Sequence, residues 1–185
     1  MKRISLFADE GRPRRILALG AHPDDIEIGC GGTILRLVAE HPGLEVSWVV
    51  FAGTAPRAAE ARASASAFLA GAPKARVIVR DYRDGFLPYS GSALKDEFEA
   101  LKGEVVPDLV LTHYREDRHQ DHRLVSELTW NTWRDHLILE YEIPKYDGDF
   151  GSPNFFVSLP ATTLDRKVAT ILEHFPSQAR KPWFT

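Results

Sequence analysis

Cysteine is almost missing: Cys30 is the only copy in 185 residues. No disulfide can close within the chain, so a disulfide scaffold is excluded and a reducing compartment suits the composition. Long apolar runs are missing too, and nothing approaches the length of a membrane span. The opening residues Met1 to Glu10 are broken by acids too early for a signal peptide, so a cytoplasmic location is expected. Charge of one sign is scarce. The formal net charge of -3 supplies no basic field, which argues against nucleic acid and against insertion at an anionic membrane. Repeats, low-complexity segments and interdomain linkers are absent. What remains, 44% hydrophobic and 26% charged residues, is ordinary for a globular protein. The length suits one domain over 1–185 with a full core.

Apolar runs alternate with amphipathic ones along the chain. Strands are expected over about 14–21, 45–52, 76–80 and 108–112, each β-branched or continuously apolar. Helices are expected over 33–41, 56–70, from Ser92 past Leu101, and 124–133. Leu137 to Ile143 and Phe155 to Leu159 read as two further strands around a loop rich in Gly, Asp and Pro. Thr162 to Phe175 reads as the last helix, and residues 1–13 as a lead-in. This order predicts an α/β fold in three layers, with a mostly parallel sheet covered on both faces and the later strands antiparallel at an edge. The site is expected at the C-terminal edge of the strands.

Two loops carry the chemistry. The first expected strand runs into His22, Asp24 and Asp25, followed by the glycine cluster Gly29-Cys-Gly-Gly32. The fourth runs into His113 and then His119, Asp121 and His122. Loops that both follow strands of one parallel sheet emerge at the same edge and can converge. Mixed imidazole and carboxylate donors suit zinc and also accept ferrous iron or another divalent ion. Three protein ligands would leave a position for water, the arrangement of a catalytic site, and a nearby carboxylate could take that water's proton. The glycine cluster lacks both G-x-G-x-x-G spacing and a P-loop lysine. Its glycines are expected to permit a tight turn and close helix packing, with Cys30 a small buried hydrophobe.

Ala21-His-Pro-Asp-Asp25, Gly31-Gly-Thr33 and His119-Gln-Asp-His122 together resemble the zinc-dependent deacetylases of the LmbE/PIG-L family. The resemblance implies a Rossmann-like fold and hydrolysis of an N-acetyl group, usually on a glucosamine unit. It implies zinc ligation by His22, Asp25 and His122, with Asp24 as the base for a zinc-bound water. His119 would be the acid and oxyanion stabiliser, and Asp121 would fix the tautomer of an imidazole. Arg57, in Arg57-Ala-Ala-Glu60, and Asp84 match substrate-binding positions, and Asp117 matches an acid near the catalytic histidine. Gln120 replaces a usual proline, and Phe175 stands where histidine is usual in a His-x-Ser-Gln element, leaving His174 at a helix end. Similar chains generally continue past Trp183-Phe-Thr185, which implies a short subgroup or a missing C-terminal segment. The expected substrate is a small amino sugar or its conjugate, and a homo-oligomer stays open. Two alternatives stand beside this reading: an N-deacylase of another glycosylated natural product, and a non-catalytic sugar- or nucleotide-binding module. The loops Gly85 to Ser90 and Tyr141 to Asn154 are expected to face the substrate.

Overall fold

The computed structural model describes residues 14–182 and 184. The expected lead-in over 1–13, and Trp183 and Thr185, lie outside the described residues. Five strands form the sheet: β1 (Arg15–Gly20), β2 (Glu45–Val50), β3 (Lys74–Val79), β4 (Leu109–His113) and β5 (Leu137–Tyr141). Helices α1 (Asp25–Glu40), α2 (Arg57–Phe68), α3 (Gly91–Glu104) and α4 (Gln120–Thr132) connect them, and α5 (Ala161–His174) follows β5. The strand order is β3-β2-β1-β4-β5, and all four pairings are parallel.

The strand run Ile16 to Gly20 is buried throughout, as a central parallel strand must be when both faces are covered. Alternate residues feed two cores. Ile16, Ala18, Val46 and Trp48 face α1 and α2, while Leu17, Leu19, Val49 and Val110 face α3 and α4. Helix α5 lies outside α1 and α2, and no residue of it is buried. Among the described residues no helix is long and apolar enough to cross a membrane.

The chain winds outward from β1 through β2 to β3, then returns to β4 on the other side of β1. The reversal places the C-terminal ends of β1 and β4 side by side, in register Ile16↔Leu109 and Ala18↔Leu111. A crevice opens where a parallel sheet reverses its winding. Both histidine-bearing loops start at that crevice.

Two expectations about the sheet are corrected. The expected antiparallel edge is parallel: helix α4 carries the chain back across the sheet, so β5 runs alongside β4 in the same direction. Residues 155–159 form no strand. They stay extended against α1, where Arg36 donates to the Ser158 carbonyl at 2.6 Å and Leu159 fills the space beside Gly32. An extended chain with one side on a helix has the same two-residue alternation as a strand.

The glycine cluster also departs from expectation. It forms no tight turn, because α1 begins at Asp25 and runs straight through it. Its packing role holds. A Cβ at Gly29 would meet the Tyr141 ring at 2.1 Å, and one at Gly31 would meet Phe68 at 2.6 Å. Each helical glycine costs up to about 1 kcal/mol relative to alanine, offset here by two aromatic rings seated directly on the helix backbone. Cys30 is buried, as expected, and burial pushes its thiol up, away from reactivity.

Candidate metal centre

His22 leaves β1 on a short loop whose backbone is bent to order. The His22 N–H donates to Asp25 Oδ2 at 2.7 Å. Asp24 sits at φ 90°, the only non-glycine with positive φ among the described residues. Such a conformation is strained in most residues and best tolerated by Asn and Asp. From the other loop, His122 enters on the first turn of α4, with His119 as its N-cap.

Three atoms converge from these loops. His22 Nδ1 lies 3.2 Å from His122 Nε2 and 3.4 Å from Asp25 Oδ2, and the last two are 3.5 Å apart. A tetrahedral cation with bonds of about 2.0–2.1 Å sets its ligand atoms about 3.3 Å apart. The triangle therefore has the dimensions of one tetrahedral face, and its imidazole–carboxylate donor set fits a divalent metal. All three residues are buried.

The outer nitrogens support the same assignment. His22 Nε2 faces Asp121 Oδ2 at 3.0 Å and Asp84 Oδ1 at 3.1 Å, while His122 Nδ1 faces Asp117 Oδ2 at 2.9 Å. With a hydrogen assigned to each outer nitrogen, both lone pairs point into the triangle, the arrangement a ligand histidine needs. Asp121 is fully buried and anchored by the N–H groups of Gly85 (2.7 Å) and Leu87 (3.1 Å). It thereby ties the loop after β3 to the site.

The adjacent acids differ. Burial disfavours the Asp25 carboxylate, but the neighbouring His122 and His113 hold its pKa well below the ordinary value. Burial and the charge of Asp25 push Asp24 up to about 7, opposed by Arg57. Arg57 Nη2 reaches Asp24 Oδ2 at 2.9 Å and the Pro23 carbonyl at 2.5 Å. For His22, burial opposes protonation, yet the carboxylates of Asp121, Asp25 and Asp84 outweigh it and raise the pKa.

Asp84, Arg57, His119 and Gln120, singled out from the sequence, also lie in this neighbourhood, in differing surroundings, whereas His174 ends α5 and Phe175 caps it. Asp84 is largely exposed at the mouth, with its carboxylate on His22. Arg57 is engaged with Asp24. The His119 ring packs edge-on to His22 with centroids 4.8 Å apart, and its Nδ1 accepts the Asp121 N–H at 3.2 Å. Burial, followed by His122 and His22, lowers its pKa. Gln120 donates to the Gly85 carbonyl. Within the two loops expected to face the substrate, Leu87, Tyr141 and Ile143 are buried, and the Tyr141 hydroxyl donates to the Leu19 carbonyl at 2.6 Å.

Several participants carried little or no signal in the sequence. His113, placed only as following a strand, has Nε2 3.2 Å from Asp25 Oδ2, and burial drives its pKa down to about 4. Lys145 and Asp149 lie in an aperiodic loop, yet Lys145 Nζ reaches Asp117 at 2.9 Å and Asp149 at 2.6 Å. The turn after α5 docks on α2 through Ser177, whose N–H and hydroxyl both meet Glu60. An open groove of about 450 Å³ lies apart, lined by Arg115, Arg123, Trp130 and Arg134. Its Arg115 is occupied by Glu140 and the Trp130 ring.

A layered α/β protein with a cation-sized triangle at its winding reversal is the class that fold and site define. The chain belongs to the PIG-L family (GlcNAc-PI de-N-acetylase), whose model matches residues 17–133. It is 31% identical over 183 residues to an Escherichia coli K12 protein described as the uncharacterized deacetylase YaiS, covering 92% of this chain and 95% of that protein. Among solved structures, it is similar to the N,N'-diacetylchitobiose deacetylase of Pyrococcus horikoshii in complex with an inhibitor. That likeness has 26% identity and a TM-score of 0.68, covering 96% of this chain and 78% of that one. The zinc-inhibited form of the teicoplanin deacetylase Orf2 shares the fold with a TM-score of 0.69 at 16% identity, covering 89% of this chain and 84% of the other.

Proposed function

We propose that this chain is a zinc-dependent N-deacetylase that hydrolyses the acetamide of an amino sugar or its conjugate. His22, Asp25 and His122 would hold the cation, although ferrous iron suits the same donors. The observation that carries the reading is the triangle of their inner atoms, backed on its outer side by Asp121 and Asp117. Beside it stands a buried carboxyl, Asp24, that Arg57 engages instead. When bound, zinc supplies Lewis acidity, polarising a carbonyl and acidifying water.

Asp24 takes the proton of the attacking water. A carboxyl raised toward 7 has the proton affinity for that task, and Arg57 fixes which oxygen turns away from the site. His119 accepts the Asp121 N–H on Nδ1, so its hydrogen belongs on Nε2. In that form it is a donor for the carbonyl oxygen as negative charge builds. The depressed pKa of His119 favours this role over proton donation. The proton held by Asp24 is then the one available to the leaving nitrogen. Asp84, exposed at the mouth, is placed to bond sugar hydroxyls. The acetylated sugar in the name of the Pyrococcus relative supports the substrate class.

The test is an acetate-release assay over acetamido monosaccharides, chitobiose-type disaccharides, nucleotide sugars and glycolipid headgroups, each with and without chelator. Chelator-sensitive acetate is expected from at least one class. A protein that binds zinc stoichiometrically yet cleaves no amide would instead be a non-catalytic binding module.

A further inference from the structure

We infer that Lys145 is a positioning residue for the cation centre, acting on His122 through Asp117. The inference rests on the reading of His122 as a ligand. Lys145 belongs to the segment between β5 and α5, far from either motif in the sequence. Its side chain is 15% exposed, and its ammonium bridges Asp117 Oδ2 at 2.9 Å and Asp149 Oδ2 at 2.6 Å. Both acids are nearly inaccessible, at 2% and 7%.

Each of those acids also grips the loop after β4. Asp117 takes the His119 N–H on Oδ1 at 2.7 Å and faces His122 Nδ1 with Oδ2 at 2.9 Å. Asp149 takes the Arg118 N–H at 2.6 Å. One ammonium thus joins two carboxylates from two segments, and both carboxylates hold backbone of the loop that delivers His119 and His122. The Gly151 N–H closes the Lys145 segment on Glu142, so the clamp rests on a braced loop.

The His122 ring lies stacked against His113 and His119, with centroids 4.0 and 4.5 Å away. These contacts hold its plane, and within that plane the Nδ1–H contact with Asp117 turns Nε2 toward Asp25 and His22. Without the ammonium, Asp117 and Asp149 are like charges held close in a water-poor site. Their repulsion would strain the two loops and lower stability, while Asp117, no longer held by the ammonium, would turn from His122. Partners that orient a ligand histidine typically contribute about 10- to 100-fold to metal affinity. Lys145 acts one contact further out, so the lower end, about tenfold, is expected.

The experiment measures the zinc dissociation constant by competition with a chromophoric chelator, alongside melting temperature, for the full chain and five variants. Lys145→Met should weaken zinc about tenfold and lower kcat at limiting zinc, with KM for the amide little changed. Lys145→Arg, which can still bridge two carboxylates, should restore affinity to within about threefold. Lys145→Met/Asp149→Asn removes the orphaned acid and should recover melting temperature while affinity stays low. Asp149→Asn alone leaves the Lys145–Asp117 contact and should stay within about threefold of wild type. Wild-type affinity in folded Lys145→Met overturns the inference, as does a double variant whose affinity returns with its melting temperature. If Lys145→Met does not fold, a tenfold loss in Asp149→Asn overturns it equally. His122→Ala serves the parent reading separately: zinc binding as tight as wild type there would remove His122 from the ligand set, whatever Lys145 does.

Discussion

In the loop after β1 the backbone does the bending and the side chains follow immediately. His22 N–H secures Asp25, and Asp24 occupies a left-handed conformation at the start of α1. In the loop after β4 the path from His113 to His122 is longer, and side chains from elsewhere hold it: Asp149 on Arg118 N–H, Lys145 on Asp117, and Arg123 on the Asp117 and Arg118 carbonyls. The difference teaches where each loop is vulnerable. The first bends through its own residues and takes Arg57 as a brace on Pro23 and Asp24, whereas the second leans on Lys145 and Asp149, supports from beyond β5.

The largest expected effect breaks the first loop. His22→Ala removes one corner of the triangle, so bound zinc and turnover should both fall to background, checked by metal analysis and acetate release. Retention of stoichiometric zinc would show that the other loop holds the ion without it. Next, Asp24→Asn should lower kcat about 10²- to 10⁴-fold with zinc content unchanged. Asp24 works as a base only when ionised, so wild-type activity should fall as pH drops through its pKa, and the variant should lose that acid limb. A variant at near-full rate would assign the base elsewhere.

A smaller effect concerns Glu27, fully buried on the first turn of α1 with Ser64 beside its carboxyl and, among the described residues, no cation as a main cause of its pKa shift. Burial raises its pKa from 4.5 to about 8. A raised carboxyl contributes stability that is complete below the unfolded value and lost as pH climbs through the folded one. Glu27→Gln cannot ionise, so its melting temperature should gain on wild type progressively from about pH 5 to about pH 8. Parallel melting curves across that window would contradict the assignment. The smallest effect is expected from Gln120→Pro. Position 120 opens α4, where proline is tolerated, and only the bond to Gly85 is lost, so kcat/KM should stay within about twofold. A larger fall would mean that the second loop depends on this bond as much as on its charges.

The same contrast explains what the sequence could reveal. Continuous apolar runs bounded by turn residues identified β1, β2 and β4, because strands buried on both faces leave that signature. The candidates His22, Asp24, Asp25, His119, Asp121 and His122 are legible because each follows such a run within a compact motif; the choice of His22, Asp25 and His122 among them as ligands rests on the family resemblance. Lys145 and Asp149 were not: a loop without periodicity gives no indication of which distant acid its lysine will meet. Phe155 to Leu159 was misread for a related reason, since half-buried extended chain alternates alike whether it lies on a sheet or on a helix.

His22 and His122 are 100 positions apart yet in contact. Their meeting requires β1 and β4 already zipped together, a non-local pairing that forms slowly in folding. A cation captured by both histidines would therefore recognise the finished sheet and ignore the unfolded chain. Mass action would then turn such an ion into a thermostabiliser: at a hundredfold excess over its dissociation constant it would add about 2.7 kcal/mol. A simple melting scan against metal concentration would report on assembly of the whole domain without any substrate in hand.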